Sequence, residues 1–451
     1  MFKKFTRGCV KLVQNYLPDP FLFCVILTLI VFVAGMISTS QSPMAMIGHW
    51  AGGFWSLLAF SMQMALVLVT GHTLASTKVV KNILQALARP CKTPLQAILA
   101  VTFVSTIACW INWGFGLVVG ALYAKELARV VKGVDYRLLI ASAYSGFVVW
   151  HSGISGSIPL KVATAGAELA KATNNAVIDP ISTSQTIFAP FNLVIFGIIL
   201  ITMPFLNRFM HPSEDEVIVV DPKLLEDDNE TVETIKHGDT FADKMENSMV
   251  LSMLIGAMGL VYIIYYFATN GFELNLNIVN FLFLFLGILL HKTPRRFLDA
   301  ISAAAKGTAG IILQFPFYAG IMGMMTGVSA ATGASLAGEI SQFFVAISTQ
   351  TTYPLFTFLS AGVVNFFVPS GGGQWAVQAP IMMPASVELG VSTAKTAMAI
   401  AWGDAWTNMI QPFWALPALG IANLGARDIM GFCVIDLLYT GVIIALGLMF
   451  L

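Results

Sequence analysis

The sequence predicts an all-α polytopic membrane protein, with about nine transmembrane helices and two re-entrant hairpins arranged as two inverted repeats. Three observations predict it. Only 11% of the 451 residues are charged, while 57% are hydrophobic; a soluble domain carries about 25% charged residues. Apolar runs near the length that spans a bilayer core, about 20 residues, recur along the chain. Polar, glycine-rich breaks interrupt those runs at matching places in the two halves.

The chain opens on the basic stretch MFKKFTRGCVKLVQNYLPDP and turns into FLFCVILTLIVFVAGMIS. This reads as a retained first span with a cytoplasmic N-terminus: the run exceeds a usual signal-peptide core, and no small-residue cleavage site follows. Spans are expected at about 21–38, 57–76, 137–160, 186–208, 248–268, 275–291, 307–328, 392–419 and 428–450. KVVKNILQALARP (78–90) and SLAGEISQFFVAIS (335–348) have helical spacing with polar faces, as helices lying flat at the interface or ordinary connecting helices do. Residues 211–247 hold 12 of the 24 acidic residues and read as a solvated linker. Cys9, Cys24, Cys91, Cys109 and Cys433 are scattered without metal-ligand spacing, so no disulfide and no metal are expected. Zero net charge gives no reason to expect nucleic acid, and nothing points to a cofactor.

The halves correspond. CWINWGFGLVVGALYAKELA (109–128) is followed about 40 residues later by YSGFVVWHSGISGSIPL (144–160); VNFFVPSGGGQWAVQAPIMMP (364–384) is followed at a similar distance by AWGDAWTNMIQPFWALP (401–417). Basic segments at 78–92 and 125–137 both favour the cytoplasm, so the chain between them must enter and return. The expected organisation is a first repeat, 1–208, with a hairpin at about 94–131; an acidic cytoplasmic linker, 209–247; an extra helix, 248–268; and an inverted second repeat, 270–451, with a hairpin at about 352–390. The C-terminus is then periplasmic. Irregular backbone at membrane depth is tolerated where it is buried in protein or lines a watery cavity, and inverted repeats with broken helices are a transporter architecture.

The breaks supply the candidate site: Asn112, Trp113 and Gly114; Ser152, Ser155 and Ser157; Asn365, Ser370, Gly371, Gly372, Gly373 and Gln374; Thr407, Asn408 and Gln411. Neutral donors, freed backbone N–H groups and the tryptophans Trp150, Trp375 and Trp406 suit a small anion with one carboxylate and a short apolar tail. The set has no arginine, and the nearest lysine is Lys161. Asp404 is the candidate for ion coupling, because a carboxylate inside a span is costly and usually functional. His151 is a second candidate, since imidazole titrates near neutral pH. Asp436 lies within a span but outside the repeated breaks. GISG (153–156) matches the GxSG of rhomboid-type intramembrane serine proteases, yet none of the six histidines is placed as the facing base that such a serine needs. No enzyme is therefore expected. A passive channel stays open.

Long blocks carry a resemblance: YLPDPFLF, FWSLLAFSMQMALVLVTGHTLA, INWGFGLVVGALYAKELAR, DPKLL, LLHKTP, ISAAAKGTAGIILQFPFYAGI, VPSGGGQWAVQAP and QPFWALPALGIANLGARDIMG. From about residue 16 onward the chain resembles the bacterial short-chain fatty acid transporter family, AtoE type, within the ion transporter superfamily. The resemblance implies uptake of butyrate, acetoacetate or similar monocarboxylates across the bacterial inner membrane by an elevator movement. It also implies symport with H⁺ or Na⁺ and a homodimer. The Ser-Asn-Thr triplet of the dicarboxylate carriers is absent from both tips, around Asn112 and around Asn365 to Gly373. Another small organic anion, such as a dicarboxylate, is the alternative substrate.

Overall fold

The computed structural model describes residues 2–16, 20–164, 167–221, 240–271, 276–369 and 371–451. Ser370 and residues 222–239 of the acidic linker lie outside them. Among the described residues the regular elements are all helical.

Local sequence sets most helix starts. α1 (Phe2–Tyr16) is followed by the apolar α2 (Pro20–Thr39). α3 (Pro43–Gly53) is capped by Ser42, α4 spans Leu58–Ala75, and α5 (Lys78–Ala88) is capped by Thr77. α6 (Pro94–Ile111) begins with a capping box between Thr93 and Gln96, and α7 (Trp113–Val130) begins at Asn112, whose side chain accepts the Phe115 N–H. These side chains take up N–H groups that the first helical turn leaves unpaired. α8 (Tyr136–Ser145) tightens into a 3₁₀ segment, Gly146–Ser152, before α9 (Ser157–Ala163), α10 (Ala167–Ala172) and α11 (Pro190–Phe209).

Beyond the linker come α12 (Phe241–Glu246), α13 (Met249–Asn270), α14 (Leu276–His291), α15 (Pro294–Ala305) and α16 (Ala309–Thr326). They are followed by α17 (Leu336–Ala346), α18 (Tyr353–Phe367), α19 (Gly371–Glu388), α20 (Thr393–Asn408), α21 (Pro412–Ala422) and α22 (Ala426–Phe450). The expected single span at 392–419 is two helices, α20 and α21. Pro412 cannot donate to a preceding carbonyl and disfavours helix at the residue before it, so the run breaks at 409–411.

Seven helices among the described residues are long and apolar enough to cross a membrane: 21–39, 94–111, 136–163, 190–209, 249–270, 309–326 and 426–450. Four shorter apolar helices accompany them. Burial separates the roles of these helices. In the most apolar stretch of 136–163, 94% of the residues are buried, whereas in those of 21–39 and 249–270 only 22% are, and these two helices expose Leu29, Leu254, Val261 and Ile264. Large apolar side chains on an outer face suit hydrocarbon as solvent.

Two helix pairs fold back on themselves. In the first, Gly116 lies against Cys109 and Gly120 against Ser105, so α6 and α7 run antiparallel from a tip at Asn112. In the second, Gln374 donates to the Ala361 carbonyl at 2.8 Å and the Tyr353 hydroxyl to the Met382 carbonyl at 2.6 Å, so α18 and α19 also run antiparallel, with Val368, Pro369 and Gly371 at their turning end. Each pair's first helix then runs parallel to a helix about 40 residues later. Gly146 sits against Ser105 and Thr106, and Gly153 against Trp110; likewise Gly403 sits against Phe358 and Ala361, and Gly362 against Trp406 and Thr407. Glycine at these crossings lets the backbones approach closely.

Candidate functional site

The two broken segments cross at the centre of the molecule. His151, in the 3₁₀ segment after α8, meets Asp404 in α20. Its Nδ1 lies 2.5 Å from Asp404 Oδ2, and both side chains are fully buried. The Ile158 backbone N–H donates to His151 Nε2 at 3.0 Å. An N–H can only donate, so Nε2 is the acceptor and Nδ1 carries the ring proton that Asp404 accepts. Trp150 stacks on the imidazole, with ring centroids 4.1 Å apart.

The other half of the site is a chain of neutral amides. The Trp150 indole N–H donates to Asn408 Oδ1 at 2.8 Å, the Asn408 amide to Gln411 Oε1 at 3.1 Å, and the Gln411 amide to the Asn365 carbonyl at 2.5 Å. The Asn365 amide in turn donates to the Asp404 carbonyl and to Thr407 Oγ1, both at 2.8 Å. Asn365, Asn408 and Gln411 are fully buried, and isolated buried amides would be costly. Two acceptors are left over: Asp404 Oδ1 and Asn365 Oδ1 have no hydrogen-bond partner among the described residues. A proton donor or a cation would satisfy them.

The second hairpin tip touches this centre. A Cβ placed on Gly371 would fall 2.5 Å from both His151 Cε1 and Ser157 Oγ, and one on Gly372 would fall 3.1 Å from Lys161 Nζ. Ser157 Oγ is itself 3.0 Å from His151 Nε2. At the first tip, the Trp113 N–H donates to Ser155 Oγ at 3.0 Å, and the Ile154 N–H to the Trp110 carbonyl at 2.9 Å.

The structure therefore gathers His151, Ser157, Asn365, Gly371, Asp404, Thr407, Asn408 and Gln411 into one buried centre, with Asn112, Trp113, Gly114 and Ser155 in the adjoining tip. Gly372 lies beside Lys161, and Gly373 follows in the first turn of α19. Ser152 turns its hydroxyl back to the Val149 carbonyl. Gln374 is used inside its hairpin, on Ala361 and Gln378. Trp406 donates to the Leu437 carbonyl, and Trp375 packs with Ile158 and Met382. Of the three expected tryptophans, Trp150 does border the centre, in a cluster with Trp113, Phe147 and Trp414 whose centroids are 5.3–6.4 Å apart. The cluster's signal was present in QPFWALP, which directly follows the second break.

Asp404, His151 and Ser157 have the connectivity of a Ser–His–Asp triad. The nitrogen that would act as base already accepts the Ile158 N–H, which weakens it as a base toward the Ser157 hydroxyl.

The profile of the short chain fatty acid transporter family matches residues 1–451. The chain belongs to the short-chain fatty acid transporter family. Two relatives are similar throughout their lengths. A protein of Escherichia coli (strain K12), named as a candidate short-chain fatty acid transporter, is 46% identical over 448 residues, covering 99% of each chain. A protein of Haemophilus influenzae with the same name is 45% identical over 456 residues, covering 100% of each. Among solved structures, the Alcanivorax borkumensis YdaH transporter aligns over 96% of this chain and 97% of its own, with TM-score 0.44 and 15% identity. In this member of the short-chain fatty acid transporter family, helices of membrane length surround the buried centre, as befits a multi-pass membrane protein. The relatives are named as transporters, a class distinct from enzymes.

Proposed function

We propose that this chain takes up short-chain fatty acids across the bacterial inner membrane in symport with a proton, the His151–Asp404 pair being the proton-carrying element. The observation that carries the reading is this fully buried pair, 253 residues apart in sequence, joined across the two broken segments and touched by the second hairpin tip.

The coupling is electrostatic. With neutral His151 donating to an Asp404 carboxylate, the centre holds one buried negative charge, which repels a substrate anion. A proton added at Asp404 Oδ1 removes that charge. The anion can then settle against Lys161 Nζ and the N–H groups that open α19 at Gly371–Gly373, where a helix N-terminus favours negative charge. One proton and one carboxylate enter together, so the step is electroneutral. The cluster around Trp150 and Trp414 offers an apolar wall for the short tail. Asn112, Ser155, Asn365, Thr407 and Asn408 complete the binding groups in this reading.

The common register of hairpin and broken segment in both halves supports two inverted repeats, 1–208 and 270–451. It supports re-entry of the hairpins at 94–131 and 352–390, and movement of the centre as an elevator. The unpartnered oxygens of Asp404 and Asn365 also fit Na⁺, the second reading. Labelled butyrate uptake into proteoliposomes, with proton and Na⁺ gradients imposed separately, tests both. Accumulation that follows the proton gradient supports the first reading, and accumulation that follows only Na⁺ overturns it in favour of the second.

A further inference from the structure

We propose that the outer seam between α6 and α11 is a binding site for one anionic phospholipid. Two clefts adjoin along this seam. The first, of about 490 Å³, is apolar: Leu99, Ala100 and Phe103 of α6 face Leu200, Pro204 and Phe205 of α11. Pro204 has no N–H to give to the Leu200 carbonyl, so α11 lacks a backbone hydrogen bond where it borders the cleft. Small Ala100 leaves room opposite. The second cleft, of about 760 Å³, is polar and lies one turn further toward the helix ends, bounded by Thr93, Lys132, Arg208, His211 and Glu214. Leu95 borders the polar cleft and Leu99 the apolar one, a separation of about 6 Å along a helix.

The charges select the headgroup. Neither Lys132 nor Arg208 has a hydrogen-bond or ion-pair partner among the described residues. His211 lies beside them, with Nε2 3.3 Å from the Asp135 N–H and Nδ1 3.1 Å from the Pro212 carbonyl. Two cations against Glu214 leave a net charge of one, which a phosphodiester monoanion matches. The polar cleft is firmly built. Fully buried Asp135 accepts the Ile218 N–H at 2.9 Å and Tyr136 donates to the Ile218 carbonyl at 2.9 Å, so the segment after α11 is tied to the base of the hairpin. A polar end with unpaired cations joined to an apolar trough of helical-seam length fits a headgroup with its acyl chain; a free phosphate would use only the polar end. Basic pockets between membrane helices are a known form of such recognition.

The test is native mass spectrometry of the purified protein after exchange into detergent containing equal phosphatidylglycerol and phosphatidylcholine. The wild type should retain one phosphatidylglycerol in preference to phosphatidylcholine. Lys132→Gln with Arg208→Gln should lower that retention about 25-fold, from about fivefold per cation. Ala100→Trp, which fills the trough on an outward wall, should abolish it with both cations present. Equal retention of the two lipids, or unchanged retention in either variant, overturns the proposal. Loss with the charge variant but not with Ala100→Trp, together with displacement by inorganic phosphate, would assign the cleft to a free anion and also overturn it. Uptake of substrate is not the readout, so failure here is distinct from failure of proton coupling.

Discussion

Gly371→Ala is the sharpest perturbation of the site. Its new methyl would sit 2.5 Å from His151 Cε1 and Ser157 Oγ, where carbon contacts prefer about 3.5–4.0 Å. The imidazole cannot swing aside, because Asp404, the Ile158 N–H and the Trp150 face hold it. The tip must therefore lift. Overpacking of this kind costs about 1–3 kcal/mol, which corresponds to a five- to 150-fold loss of the closed arrangement. Its neighbour Gly372 provides the contrast: a Cβ there meets only the flexible end of Lys161, at 3.1 Å. Gly197, on α11 with nothing within 4 Å, is the control, since alanine in an open helical position is neutral or stabilising. Initial rates of labelled butyrate uptake, normalised to protein inserted, should fall at least fivefold for Gly371→Ala, less than twofold for Gly372→Ala and not at all for Gly197→Ala. Wild-type uptake by Gly371→Ala would refute the contact between tip and imidazole, and equal losses at 371 and 372 would refute the steric argument.

Other perturbations separate the roles around that contact. Lys161→Met should raise the KM for butyrate about tenfold or more, the scale of a lost hydrogen bond to a charged group, while Lys161→Arg keeps most of the affinity; unchanged KM in the methionine variant would remove Lys161 from substrate binding. Asn408→Ala leaves the Trp150 N–H and the Gln411 Oε1 without partners, which should cost about 1–3 kcal/mol and lower the unfolding temperature in detergent; a wild-type melting curve would contradict the amide chain. Asp135→Ala removes the acceptor for the Ile218 N–H and should make the segment 211–220 readily cleaved in limited proteolysis, with the wild type protected there.

The breaks were legible because their residue types are physically out of place. Asn112 and the glycines at 371–373 cannot be explained as filling for an apolar span, and each marks a real interruption, whereas the expected span at 392–419 ran through the break before Pro412. The paired chemistry was not legible. His151 and Asp404 stood out separately, but no local signal joins residues 253 positions apart; only the crossing of two broken segments does. Aromatic roles were equally hidden, since tryptophan packs and lines cavities with the same side chain. Trp406 is spent on the Leu437 carbonyl, while Trp414, no more conspicuous in sequence, packs edge-on against Trp113 and tilted against Trp150. Gln374 looked available at a tip, yet its amide closes the hairpin from within. Lys161 was noted only as the nearest cation, and it is the fold that sets it beside Gly372.

The most direct test of proton coupling compares wild type with Asp404→Asn in proteoliposomes carrying an inward proton gradient. Asparagine keeps the shape and can still accept from His151 Nδ1, but it cannot take up a proton. The account predicts that wild type accumulates labelled butyrate above equilibrium, whereas Asp404→Asn equilibrates it without responding to the gradient. Gradient-driven accumulation by Asp404→Asn equal to wild type would contradict it.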